Sequence, residues 1–117
     1  MRTQREWIEA YKEAERLKSD YMLSKIWGIN TAQMSQIKSG KTKLDLMKIF
    51  DIAESLEIEP IEIILCIEYH REKSEVKKER IKKYILKFAS NGLIILLTFG
   101  TLIMSVSMHP KELLSII

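Results

Sequence analysis

The sequence predicts an all-α protein, in which a five-helix domain precedes a long C-terminal helical extension expected to span a membrane. Two prolines and four glycines in 117 residues are too few for a turn-rich β-sandwich. Apolar residues recur at the three-to-four spacing of amphipathic helices, and helix-capping residues stand before these stretches. A lone cysteine excludes an internal disulfide and fits a reducing compartment.

Charge divides the chain into parts. Residues 1–65 carry ten Lys/Arg and eleven Asp/Glu, residues 66–87 carry eight and four, and residues 88–117 carry one of each. We therefore expect a globular domain over 1–67, a basic connecting helix over 68–87, a hydrophobic segment over 88–108 and a short tail over 109–117.

The first helix is predicted from a capping box. Thr3 stands three positions before Glu6, and this spacing lets the two side chains satisfy two backbone N–H groups at a helix start. An apolar stripe at helical spacing follows, made of Trp7, Tyr11, Ala14 and Leu17.

Two short helices are predicted next. Ser19 can cap a helix over Asp20–Trp27, and Gly28 suits the left-handed turn that ends it. Asn30 can cap a third helix, which Gly40 ends. Met34 and Ile37 are expected to face the core.

Apolar periodicity also predicts a fourth and a fifth helix. Thr42 or Asp45 can open the fourth helix, and Pro60 suits the first turn of the fifth, where its missing N–H costs nothing. The stripe of the fourth helix consists of Leu46, Ile49, Ala53 and Leu56. The fifth helix is expected to continue into the charged sequence after it.

Residues 20–43 predict a helix-turn-helix, in which two short helices flank a glycine turn. The second helix of such a motif enters the major groove of DNA, about 12 Å wide, with side chains that reach base edges. The predicted outward positions are small or amide-bearing, and none is acidic: Thr31, Ala32, Gln33, Ser35 and Gln36. Gln can pair with adenine through two hydrogen bonds, and Thr can contact the thymine methyl group.

The run LSKIWGINTAQMSQIKSG, from Leu23 to Gly40, resembles the lambda-repressor-like family of phage repressors, Cro proteins and their bacterial relatives. Gly28-Ile29 stands at the family's turn. IAESLEIEP at 52–60 is similar to the helix and turn that follow in that family. Further matches are Ser24, Met34, Ser35 and Ile37. The resemblance spans residues 11–65 and implies a five-helix DNA-binding fold.

The resemblance also implies roles by position. The residues that would face bases are Thr31, Ala32 and Gln36, and those beside them, near phosphate, would be Gln33 and Ser35. Contacting the DNA backbone would be Lys41, Thr42 and Lys43, and Lys38 completes the predicted DNA-binding set. The family often has Gln at the position that Asp20 occupies here. A carboxylate at this position repels phosphate unless it turns inward.

Charge within the motif favours double-stranded DNA as the partner. Five lysines and one aspartate fall in residues 24–48, and binding to phosphates releases counterions, which makes it salt-dependent. Residues 1–65 are slightly acidic overall, so we expect weak non-specific affinity. A homodimer, or a higher homo-oligomer, on a two-fold operator would offset this, with half-sites one helical turn apart.

The end of the chain carries a second resemblance. The run IEPIEIILCIEYHREK, with the charged helix and hydrophobic tail after it, resembles small phage-related proteins, some of them encoded by filamentous phages. This resemblance implies a phage or prophage regulator.

Residues 88–108 form an uncharged run of 21 residues. As a helix this run would span about 31 Å, close to the thickness of a bilayer's hydrocarbon core. Lysines precede it and only Lys111 follows, so the positive-inside rule predicts a cytoplasmic N-terminal domain anchored in the inner membrane. Ser90, Asn91 and Gly92 interrupt its start, which leaves the alternative of a soluble cytoplasmic oligomer that buries this segment.

The sequence shows no nucleophile–base pair, metal-ligand spacing or phosphate-binding glycine loop, so we expect no enzyme activity and no cofactor or metal. The predicted function is a sequence-specific DNA-binding transcriptional regulator, a phage-type repressor that is membrane-tethered or oligomeric. The alternative is a membrane-anchored adaptor whose helix-turn-helix binds protein, which Asp20 and the acidic balance of residues 1–65 favour.

Overall fold

The structure, a computed structural model, describes residues 1–87, which form six helices. They are α1 (Gln4–Ala14), α2 (Asp20–Trp27), α3 (Thr31–Lys38), α4 (Leu46–Leu56) and α5 (Pro60–Arg71), followed by α6 (75–87). None of the described residues lies in a strand, so the predicted all-α class is confirmed for this part of the chain.

The helix starts follow the predicted caps. Thr3 and Asn30 each form a complete capping box, and the Ser19 hydroxyl accepts the N–H of the third residue after it at 3.2 Å. Of the two candidate caps for α4, Asp45 accepts a backbone N–H at 3.0 Å, whereas Thr42 lies in the preceding loop. Side-chain to backbone hydrogen bonds therefore set these boundaries.

The core forms around α1, which packs against α3, α4 and α5. α2 packs against α3, and α4 packs against α5. The largest fully buried side chains are Ile8, Leu23, Ile52, Ile63 and Ile67. Two residues of the predicted stripes, Ala14 and Leu46, are exposed instead, because they lie at the last position of α1 and the first position of α4.

Residues 68–87 do not form the single connecting helix that the sequence predicts. α5 ends at Arg71, because Glu72 takes an extended backbone conformation with φ −74° and ψ 130°. The Glu72 carboxylate accepts the N–H of Ser74 at 3.1 Å, and α6 begins at the next residue. Ile85 of α6 is buried in the core. α6 therefore packs back onto the domain.

The hydrophobic segment 88–108 and the tail 109–117 lie outside the described residues. Their predicted membrane-spanning or oligomerising role stays a prediction. Within residues 1–87, no helix has both the length and the apolar character needed to cross a bilayer.

Candidate nucleic-acid interface

Gly28 makes the turn between α2 and α3. Its backbone is left-handed, with φ +65°, a conformation that glycine adopts without side-chain strain. Its N–H donates to the carbonyl of Lys25 at 3.3 Å, and Asn30 then opens α3. Two short helices joined by a tight turn therefore occupy residues 20–38, where the sequence predicts them.

α3 has one buried face and one exposed face. Met34 and Ile37 are 3% and 6% exposed and contact the core. The exposed side chains are those predicted to meet DNA, namely Thr31, Ala32, Gln33, Ser35 and Gln36. None of them carries a charge, so this surface, which we call the α3 face, is polar and neutral.

The two glutamines of the α3 face differ in their local hydrogen bonds. The side-chain oxygen of Gln33 accepts the N–H of Asn30 at 2.9 Å, as part of the capping box. The side-chain oxygen of Gln36 accepts the Thr42 hydroxyl at 3.3 Å, which is long for an O–H···O bond. When its side chain turns toward a ligand, Gln36 therefore loses a weaker hydrogen bond than Gln33 does.

The structure separates the predicted lysines. Lys38 Nζ lies 2.7 Å from a carboxylate oxygen of Glu9 and 2.8 Å from one of Asp20, and its side chain is 11% exposed. Lys43 pairs with Glu68 of α5. Lys41 is exposed, and its side chain has no ion pair within residues 1–87. Lys38 thus lines a cleft with Thr31 and Ser35, but carboxylates of α1 and α2 neutralise its ammonium.

Asp20 is neutralised without being turned inward, because its side chain is 41% exposed and lines a cleft with Thr31 and Ser35. Its carboxylate oxygens lie 2.7 Å from Lys12 Nζ and 2.8 Å from Lys38 Nζ. Partial burial opposes its ionisation, but the hydrogen bonds from the two lysines outweigh burial and lower the pKa of Asp20. With Glu9, these residues form a four-charge cluster (Glu9, Lys12, Asp20, Lys38) that joins α1, α2 and α3.

Gln4 of α1 fixes the C-terminal end of α3. Its amide nitrogen donates to the carbonyls of Ile37 and Thr42 at 2.6 and 2.8 Å, and its amide oxygen accepts the N–H of Leu44 at 3.0 Å. The side chain is 7% exposed. We call this arrangement the Gln4 clamp. Its partners lie 33 to 40 positions along the chain, so no local sequence pattern predicts it.

Three further cations come from outside α3, and two of them, Arg5 and Arg71, lie beside α3 or the turn that follows it. Arg5 of α1 lines a cleft of about 320 Å³ with Thr31 and Ser35. Arg71 at the end of α5 donates from Nη1 to the Gly40 carbonyl at 3.0 Å. Lys25 of α2 lies over the Tyr21 ring, 5.1 Å from its centroid. Sequence reasoning missed Arg5 and Arg71, because both are distant from the motif in the chain.

Two remaining titratable features of the described residues concern metal ligands and the lone cysteine. Within residues 1–87, no group of three or more His, Cys, Asp or Glu side chains could hold a metal ion. Burial raises the pKa of the Cys66 thiol.

Comparison of the chain with protein-family models, with curated proteins and with solved structures found no match.

Proposed function

We propose that this chain is a DNA-binding regulator of transcription that inserts α3 into the major groove of a specific site. The observation that carries the proposal is the α3 face, which is exposed, polar and free of charge, on a helix anchored by Met34 and Ile37. A surface without carboxylates can approach phosphates without repulsion. Its amide and hydroxyl groups match the donors and acceptors of base edges.

Individual roles follow from chemistry and position. Gln36 is the proposed partner of an adenine, because an amide can both donate to and accept from that base. Thr31 would contact a thymine methyl group or a phosphate, and Lys41 would contact a phosphate. The resemblance of residues 23–40 to lambda-repressor-like proteins supports the same assignment.

The wider proposal is a phage-type repressor that acts as a dimer. One helix of eight residues reaches only a few base pairs, so two copies on a two-fold operator would supply the affinity that one copy lacks. In this proposal, residues 88–108 tether the protein to the inner membrane or assemble it into oligomers.

Selection of binding sites from random-sequence DNA with the full chain tests the proposal. We expect enrichment of one sequence, with affinity that falls as salt rises. Gln36→Ala and Thr31→Ala should each lose roughly 1–3 kcal/mol, or about 5- to 150-fold in affinity, and relax the preference at one base position. Val76→Ala is the matched control, because Val76 is an 82% exposed residue of α6. Equal affinities for all of these proteins would contradict the proposed role of α3.

An adaptor that binds protein at a membrane is the second candidate. Three apolar residues of α2, Tyr21, Met22 and Ile26, are 59%, 42% and 59% exposed. A cluster of exposed apolar side chains is typical of protein contacts. Failure to enrich any DNA sequence at low salt would favour the adaptor over the regulator.

A further inference from the structure

A second cleft, of about 410 Å³, lies at the C-terminal end of α3. Its walls come from the first turn of α1, the end of α3 and the end of α5. Arg5 and Arg71 line it from two different helices, together with Lys38 and His70, and no carboxylate side chain lines it. We call it the arginine cleft. The chemistry of its walls suits an anion.

The arginine cleft is continuous with the α3 face. Arg5, Lys38 and Ser39 line both this cleft and the cleft that contains Thr31 and Ser35. An anion held by Arg5 would therefore lie beside the side chains proposed to meet bases.

Both arginines keep their charge available. Arg5 and Arg71 are exposed, and neither has an ion pair within residues 1–87. The bond from Arg71 Nη1 to the Gly40 carbonyl, at 3.0 Å, orients the guanidinium without cancelling its charge. A guanidinium has five donors in a planar fork that matches a phosphate. Lys38 contrasts with them, because Glu9 and Asp20 already neutralise it.

We propose that the arginine cleft binds a backbone phosphate of DNA, held between Arg5 and Arg71 and flanking the bases that α3 meets. This inference rests on the proposed function. It adds to the phosphate contact proposed for Lys41, since Lys38 and Lys43 are paired with carboxylates inside the protein. A free phosphate has the same chemistry and is the other source to be tested.

Salt dependence measures the contact directly. Each neutralised phosphate contributes about 0.9 to the slope of log K against log salt. Because both arginines hold the same phosphate, the double variant should reduce the slope by about 0.9, and Arg5→Ala and Arg71→Ala should each reduce it by no more than that. At about 0.1 M salt, full loss of this contact corresponds to about eightfold weaker binding. The loss should be the same for every DNA sequence, unlike the effect of Gln36→Ala, because phosphates carry no base identity.

The experiment uses the full chain, the selected DNA duplex and fluorescence anisotropy over a range of salt concentrations. Arg80→Ala is the control, because Arg80 is an exposed arginine of α6 that lines a different cleft, and its slope should equal that of the wild type. Arg71→Lys should keep the slope, because it keeps the charge. Urea unfolding of each variant separates lost binding from lost folding.

Three outcomes would overturn the inference in distinguishable ways. If the wild type binds its site selectively while both alanine variants behave like Arg80→Ala, the arginine cleft does not contact DNA, and the proposed function stands. If the wild type selects no DNA, the proposed function and this inference both fail. If inorganic phosphate, followed by arginine side-chain NMR signals, binds the wild type but not Arg5→Ala while the DNA slopes are unchanged, the cleft belongs to free phosphate.

Discussion

Replacement of Gln4 by alanine should destabilise the domain substantially. The substitution removes the clamp's three hydrogen bonds and leaves the Thr42 carbonyl and the Leu44 N–H without these partners. The Ile37 carbonyl loses less, because it keeps the N–H of Gly40 at 3.1 Å. Counting about 1 kcal/mol for each of the first two groups and about 0.5 kcal/mol for the third gives a loss of about 2.5 kcal/mol.

Urea unfolding of the full chain, followed by the fluorescence of Trp7 and Trp27, measures this loss. For a slope of about 1.5 kcal/mol per molar urea, the midpoint should fall by about 1.7 M. Gln36→Ala is the matched control, because Gln36 is exposed and makes one long side-chain bond. It should change stability by less than about 0.5 kcal/mol. A loss for Gln4→Ala no larger than that of Gln36→Ala would refute the clamp.

Two further predictions concern the turn and the charge cluster. Gly28→Ala should cost about 1 kcal/mol in thermal unfolding, because φ is +65° while the added Cβ meets no atom within 4 Å. Gly28→Asn should cost less, and equal costs would argue against backbone strain. A hydrogen bond from Lys38 lowers the pKa of Glu9, and although burial raises the pKa of Asp20, its contacts with two lysines outweigh burial and lower it. As the pH drops, these two carboxylates therefore take up protons in the unfolded chain before they do so in the folded chain. Stability should then fall between about pH 5 and about pH 3. The double variant Glu9→Gln/Asp20→Asn should flatten this decline in urea titrations, and an unchanged profile would mean that other carboxylates cause it.

The helix starts were predictable because a cap and its backbone partner stand close together in sequence. Thr3, Ser19 and Asn30 each meet a backbone N–H three positions on, and the structure confirms all three caps. The break after α5 was not predictable in this way. A run of Lys and Glu suits one continuous helix as well as two, and the break at Glu72 permits Ile85 to reach the core, which is a long-range contact.

The α3 face was predictable for a similar reason, and its surroundings were not. Helical periodicity alone separates the exposed positions of α3 from Met34 and Ile37. Lys38 has the same residue type as Lys41, yet its ammonium contacts carboxylates of two other helices. Tertiary packing decides which lysine remains free to bind an anion. It also brings Arg5 and Arg71 to one cleft.

The Gln4 clamp has a consequence for recognition under the proposed function. α3 is held at its start by a capping box, at its end by Gln4 and along its side by the four-charge cluster. Because α3 is held rigidly in this way, the DNA must deform to improve the fit between the two. Operators with easily deformed pyrimidine–purine steps should then bind better than stiff ones that offer the same contacted bases. Selected sites would carry such steps at positions that no side chain touches, so the protein would discriminate between DNA sequences partly by their flexibility.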